Sequence, residues 1–127
     1  MFAKIYLVVV SVLYAGLAFW CSFQPAVTSR KVGLELKGGS GESEFITVYG
    51  GLEMGMAIIF LVGVFRAEWL SASLFACVAM HVCLVLFRTI TLFRCEDIGE
   101  FTYRLAIGEW IILVLGLVAM FMESRNQ

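Results

Sequence analysis

The sequence predicts an all-α integral membrane protein, one domain over residues 1–127 built as an antiparallel bundle of four transmembrane helices. Three observations carry this. The chain is 61% hydrophobic and only 15% charged, with a mean hydropathy of +0.95. Soluble chains average nearer ~45–50% apolar, and a domain of this size has too little interior to hide the surplus. The apolar residues fall into four runs, each close to the roughly 20 residues that cross a bilayer. The connections between the last three runs are short, which makes neighbouring helices antiparallel. A formal net charge of −1 provides no basic footprint for nucleic acid.

The first helix is expected over about residues 2–23. No charge occurs between Lys4 and Arg30, and Trp20 sits where an interfacial indole is favoured. The run is too long for a signal-peptide core, and Trp20, Phe23 and Gln24 crowd the place where a cleavage site would lie. A retained span follows. Ser11, Tyr14 and Gly16 are its polar or very small features, and it reads as a packing helix without chemistry.

From Gln24 to Glu44 the composition changes. Pro25 ends the first helix, Val32-Gly33-Leu34-Glu35-Leu36-Lys37 alternates apolar and polar, and Gly38-Gly39-Ser40-Gly41 has turn composition. A short hairpin or flap on the membrane face is one expectation for 24–44, and a flexible linker is the other. The second helix is placed at about 45–65. It is followed by the tight turn Arg66-Ala67-Glu68 and a third helix at about 69–93. A polar connection from Arg94 leads to the fourth helix at about 101–122, where Glu100 and Arg104 stand at i, i+4 spacing for an ion pair.

Four spans put both ends on one side of the membrane. Lysines and arginines are slightly more numerous on the opposite side, that of the two longer connections. The length of the first connection and the cysteines there favour that side as extracytoplasmic, so cytoplasmic termini are expected. Cys77 and Cys83 lie inside an apolar run and read as small hydrophobes. Cys21 and Cys95 fall at helix ends on the same face, and become a disulfide candidate if that face is oxidising.

The chemistry-bearing residues are the charges inside the spans. A carboxylate or guanidinium costs several kcal/mol against lipid, so it faces protein or water. Glu53, Arg88 and Glu109 come from three different helices. At 1.5 Å per residue all three lie roughly 8–12 Å from the face carrying the longer connections. His81 is seven residues deeper than Arg88 on the same helix face, and Tyr49 stands one turn before Glu53. A shared polar pocket follows, with Tyr49, Glu53, His81, Arg88 and Glu109 as ligand-binding candidates. Glu53, Glu109 and His81 are also the candidates for acid–base work. The plainer alternative is a salt bridge between Arg88 and one carboxylate that sets helix register, with His81 a hydrogen-bonded core residue. Two glutamates to one arginine still leave a carboxylate that must be protonated, hydrated or paired elsewhere.

Cys77 and His81 share a helix face, but two ligands do not make a metal site. The chain has no H-E-x-x-H, G-x-S-x-G, C-x-x-C-H or phosphate-binding glycine loop, and neither metal nor cofactor is expected. Gly51 and Gly55 form a small-x-x-x-small ridge, with Gly116 and Ala119 as candidate partners, which would seat the second helix centrally.

The order Tyr49-Gly50-Gly51-Leu52-Glu53-x-Gly55, then Arg88-Thr89, Asp97 with Gly99, and Glu109 resembles a family of small four-helix bacterial membrane proteins described as a domain of unknown function. The likeness covers most of the chain beyond the first helix, and departs where Ile98 separates Asp97 from Gly99. It implies the fold and a bacterial inner membrane, and no activity. Taken together, the residues point to a small membrane protein that binds an amphipathic ligand such as a lipid, isoprenoid or quinone. The rivals are an accessory subunit of a larger membrane complex, a membrane-embedded isomerase or hydrolase, and a carrier that would have to dimerise. Expected partners are membrane lipids, with a membrane protein or a second copy of the chain as further candidates.

Overall fold

The computed structural model describes residues 1–125. Helix α1 (Phe2–Phe23) is followed by a short α2 (Pro25–Lys31) and a connection. Then α3 (Gly38–Phe45), a π-helical segment (Ile46–Leu52) and α4 (Glu53–Phe65) run on as one rod, Gly38–Phe65. A 3₁₀ turn at Ala67–Trp69 reverses the chain into α5 (Leu70–Arg94), and α6 (Glu100–Ser124) completes the bundle. Four helices are long and apolar enough to cross a membrane. The fold is therefore the all-α four-helix bundle that the hydropathy predicts, and no strand occurs among the described residues.

The 24–44 region differs from both expectations, since it is largely helical. Pro25 does not merely stop α1. Its ring pre-sets the backbone for a first helical turn, and it opens α2 at that position. Thr28 Oγ1 donates to the Gln24 carbonyl at 2.9 Å and ties the new helix to the old one. Gly33 takes a left-handed φ of +75° just beyond α2, a conformation glycine reaches without a Cβ penalty. No hairpin forms, because the alternating stretch Val32–Lys37 is short and has no partner strand. The Gly38–Gly41 turn is instead the start of α3. Each helical glycine costs about 1 kcal/mol of propensity. That cost is offset by docking: Phe45 is buried and stacks on Tyr49 with ring centroids 4.6 Å apart.

Around the bundle the order is α1, α4, α5, α6, with α6 closing back on α1. The rod containing Glu53 thus lies diagonal to α6, packing on α1 and α5. This corrects the central position expected for the second helix. The glycine ridge is also elsewhere. A Cβ on Gly51 or Gly55 would meet nothing within 4 Å. The close approaches are at Gly50, which packs against Ser22 of α1, and at Gly63 and Gly116. A Cβ on Gly116 would lie 2.5 Å from the Tyr6 hydroxyl and 3.0 Å from Val78. One on Gly63 would lie 2.6 Å from Ser73 Cβ and 3.1 Å from the Leu70 backbone. Between membrane helices the driving force is close packing rather than exclusion of water, so these positions set the helix spacing. Gly63→Ala is expected to cost about 1–3 kcal/mol by overpacking. Gly51→Ala should be neutral or stabilising by up to about 1 kcal/mol. Thermal unfolding of the two variants in the same detergent checks the contrast.

The core runs along the axis of the bundle, where Leu7, Phe60, Leu74 and Cys77 are wholly or almost wholly enclosed. The outward face is the reverse of a soluble protein's. Phe65, Phe75, Phe87 and Phe93 are all more than 60% exposed, as lipid-facing side chains are. Past α5, Asp97 adopts a left-handed φ of +56°, which a short polar side chain tolerates. It reverses the chain into Gly99, the residue preceding α6. The expected Glu100–Arg104 pair is formed at 2.6 Å on the exposed surface.

Candidate functional site

Arg88 of α5 and Glu109 of α6 come together as the depth argument requires. The guanidinium makes two parallel bonds: Nε donates to Glu109 Oε2 at 3.1 Å and Nη2 to Oε1 at 2.8 Å. The pair is half-buried, with the Arg88 side chain 30% exposed and that of Glu109 14%. Fork-to-fork geometry of this kind is stronger and more directional than a point contact. Two of arginine's five N–H donors are engaged with Glu109, and the remaining three have no partner among the described residues. Tyr49, carried by the π-helical segment and stacked on Phe45, lies within electrostatic range of Arg88.

Glu53 is different. It opens α4 directly after the π turn, and its Oε2 is buried with no hydrogen-bond partner among the described residues. The ion pairs there are Arg66–Glu68, Arg88–Glu109 and Arg104–Glu100, so Glu53 takes no part in one. The expectation of two glutamates sharing one arginine is therefore resolved unequally. Glu109 takes the guanidinium, and Glu53 is left over. The two carboxylates still have a common neighbour, because Tyr14 of α1 lies within electrostatic range of both.

Deeper in the bundle is His81, with no exposed surface. Its Nδ1 lies 2.8 Å from the Cys77 carbonyl, which can only accept, so Nδ1 carries the proton. Nε2 of the neutral ring is then an acceptor, and the Tyr14 hydroxyl donates to it at 3.1 Å. A second arm runs beside it. The Tyr6 hydroxyl donates to the Ile112 carbonyl at 3.0 Å, and the Cys77 thiol is placed to donate to Tyr6 at 3.4 Å. Both ring nitrogens of His81 are thus engaged, and in this arrangement it offers nothing to an incoming group. The ring fills the core between Tyr14 and Phe60 at centroid distances of 5.6 and 6.5 Å. No cluster of three or more metal-ligating side chains occurs among the described residues.

These contacts correct the view of α1 as a helix without chemistry. It supplies both tyrosine hydroxyls of the buried network. Ala3, Leu7, Val10, Tyr14, Ala18 and Cys21, three or four residues apart, form its buried face, which hydropathy does not mark because the opposite face is apolar too. Tyr14 on that face needs a partner for its hydroxyl. The four cysteines are free thiols, Cys21 buried at the end of α1 and Cys95 exposed past α5, so the two are not joined.

The π-helical segment is the other feature that composition does not reveal. Its i→i+5 bonding rotates everything beyond it relative to an unbroken α-helix, and such segments are frequent at functional sites. Tyr49 lies inside it, and Glu53 opens α4 directly behind it. The Gly50–Gly51 step lies inside it, and Gly50 lets the rod close onto Ser22.

A family described as Domain of unknown function (DUF4345) matches residues 2–121. The chain belongs to that family. The match extends through α1, so the tyrosine-bearing first helix is part of the DUF4345 unit as much as the three helices behind it. No curated protein and no solved structure matches the chain. What a DUF4345 domain does must accordingly be argued from its own side chains.

Proposed function

We propose that this multi-pass membrane protein binds the polar head of an amphipathic ligand, a lipid, isoprenoid or quinone, between Glu53 and Arg88. The observation that carries the reading is the buried, unpartnered Glu53 Oε2. A buried acceptor without a donor costs about 1–3 kcal/mol, and a native fold keeps one where something else supplies the donor. Arg88 complements it, since three of its donors have no partner among the described residues while Glu109 holds it in place. A head group carrying both an acceptor and a donor satisfies the two sides together, Tyr49 standing at the edge. His81 and the Tyr6–Cys77 arm are assigned to holding the core. The setting proposed is a bacterial inner membrane with cytoplasmic termini, as the family resemblance and the long first connection with its cysteines suggest.

The test is to replace Glu53. Glu53→Leu is expected to stabilise the ligand-free protein by about 1–2 kcal/mol, because it removes an unsatisfied oxygen. It should also abolish retention of whatever amphiphile travels with the wild-type protein, as read by mass spectrometry of the purified material. A Glu53→Leu protein that keeps the same amphiphile, or that unfolds, sinks the proposal.

One observation favours a second reading. The Arg88–Glu109 fork is complete in itself, as a register-setting pair in an accessory subunit would be. On that reading a protein partner, and no amphiphile, accompanies the purified chain. An acid–base enzyme would instead lose turnover in Glu53→Gln while ligand retention persists.

A further inference from the structure

The cap formed by α2 and the connection after it bounds an open polar pocket that includes neither Glu53 nor Arg88. Its volume is about 320 Å³, and Ala26, Ser29, Arg30, Glu35 and Leu36 line it. That is at the lower end of the roughly 300–1,000 Å³ of small-ligand sites. Ser29 is 1% exposed, and its Oγ has no hydrogen-bond partner among the described residues. A helical serine ordinarily bonds back to the carbonyl four residues earlier. Here that carbonyl, Pro25 O, accepts from Thr28 Oγ1 at 3.3 Å, and the serine hydroxyl is left buried and unpartnered just behind the pocket wall. Arg30 is oriented by an Nε bond to the Ala26 carbonyl at 2.8 Å, which leaves its terminal N–H groups free. Glu35 lies on the same cavity, and no ion pair joins it to Arg30. An exposed cation and an exposed anion thus flank one pocket beside a buried hydroxyl, with no bond among the three.

The location restricts the occupant. Lys31, the last residue of α2, lies 5.6 Å from the ring centres of both Trp20 and Phe101, at the ends of two membrane-crossing helices. Aromatic side chains at such ends sit at the level of the lipid head groups. Val27 and Leu34, 42% and 41% exposed, give the cap apolar side chains that suit the membrane surface. The cavity therefore stands at the depth where lipid phosphates lie, with charges of both signs.

We propose that this cavity binds the head group of a zwitterionic phospholipid bearing a primary amine. Arg30 and the Ser29 hydroxyl take the phosphate, and Glu35 takes the ammonium. The shared chemistry is a phosphodiester linked to an ethanolamine. A membrane lipid and a free phosphate compound are its two sources.

The experiment is native mass spectrometry of the full-length detergent-solubilised protein, titrated with phosphatidylethanolamine or with phosphatidylglycerol. Wild type is expected to bind phosphatidylethanolamine at least five-fold more tightly. Glu35→Gln should bring the two lipids within two-fold of each other, because only the ammonium loses its partner. Arg30→Gln should weaken both, whereas Lys37→Gln, the same charge change outside the cavity, should weaken neither. Ser29→Ala discriminates site from scaffold: it should melt no lower than wild type, yet bind phosphatidylethanolamine several-fold more weakly. Competition by glycerophosphoethanolamine at millimolar concentration would show the head group alone to be recognised. Competition by inorganic phosphate with equal potency would overturn a lipid source. Equal affinity of wild type for both lipids, or unchanged preference in Glu35→Gln, overturns the proposal.

Discussion

Arg88→Met alone should destabilise the bundle by about 2–3 kcal/mol, less than the ~3–5 kcal/mol of a fully buried pair because the arginine is 30% exposed. The loss does not measure the attraction in the pair. It reflects the Glu109 carboxylate, 14% exposed, stranded between α5 and α6 with no donor. The double variant Arg88→Met/Glu109→Leu removes both charges and should recover most of the loss, since apolar replacement of both partners is often neutral. A thermal-unfolding cycle with Arg88→Met, Glu109→Leu and the double variant in one detergent reads this directly. Additive single-variant losses in the double variant would show that the two residues are not coupled, contrary to their 2.8 Å contact. If the double variant folds and still retains amphiphile, Arg88 has no part in binding and the proposed site contracts to Glu53.

His81→Ala is expected to be the most damaging of the single changes, at about 3–5 kcal/mol. Two effects add. The ring is fully enclosed, so its removal leaves a void that Tyr14, Phe60 and Cys77 fill only by shifting. The Tyr14 hydroxyl, now donating to Nε2 at 3.1 Å, would also be left buried without an acceptor. Tyr14→Phe isolates the second effect, leaving the cavity filled and Nε2 bare, and should cost about 1–3 kcal/mol. Circular dichroism melts of both variants, beside retention of amphiphile by Tyr14→Phe, separate a structural histidine from one that serves the site. Ligand retention should persist in Tyr14→Phe. Its loss there would bring the Tyr14–His81 pair into the binding chemistry.

Several features of this site were legible before any coordinates. Arg88 and Glu109 could be matched because each lies a countable number of residues from the same membrane face, and helix rise converts residues into depth. Ion pairing then follows from the cost of leaving either charge alone in an apolar span. Glu53 satisfied the same count and nevertheless did not join the pair. Depth is one coordinate, whereas pairing also depends on rotation about the helix axis and on which helices are neighbours. The π-helical turn at Ile46–Leu52 changes that rotation immediately before Glu53. Periodicity arguments assume 3.6 residues per turn throughout, so this offset was invisible to them. The glycines show the same limit. Gly51 and Gly55 have the spacing of a packing ridge and face open space, while Gly50, Gly63 and Gly116 make the close approaches. Spacing marks a face of a helix, and only a neighbour decides whether that face is used.

By itself, then, the sequence determined a four-span all-α fold, the depth of its internal charges, and that Arg88 stands at the depth of two carboxylates, either of which could pair with it. Those follow from transfer energetics and helix rise, which are local properties of the chain. Tertiary structure alone decided that α1 provides the hydroxyl for His81, that the cap after Pro25 is helical, and that Glu53 keeps a buried oxygen without a donor. Each of those depends on which side chains meet across helices. In a bundle where every helix is apolar nearly all round, hydropathy does not distinguish the face toward protein from the face toward lipid.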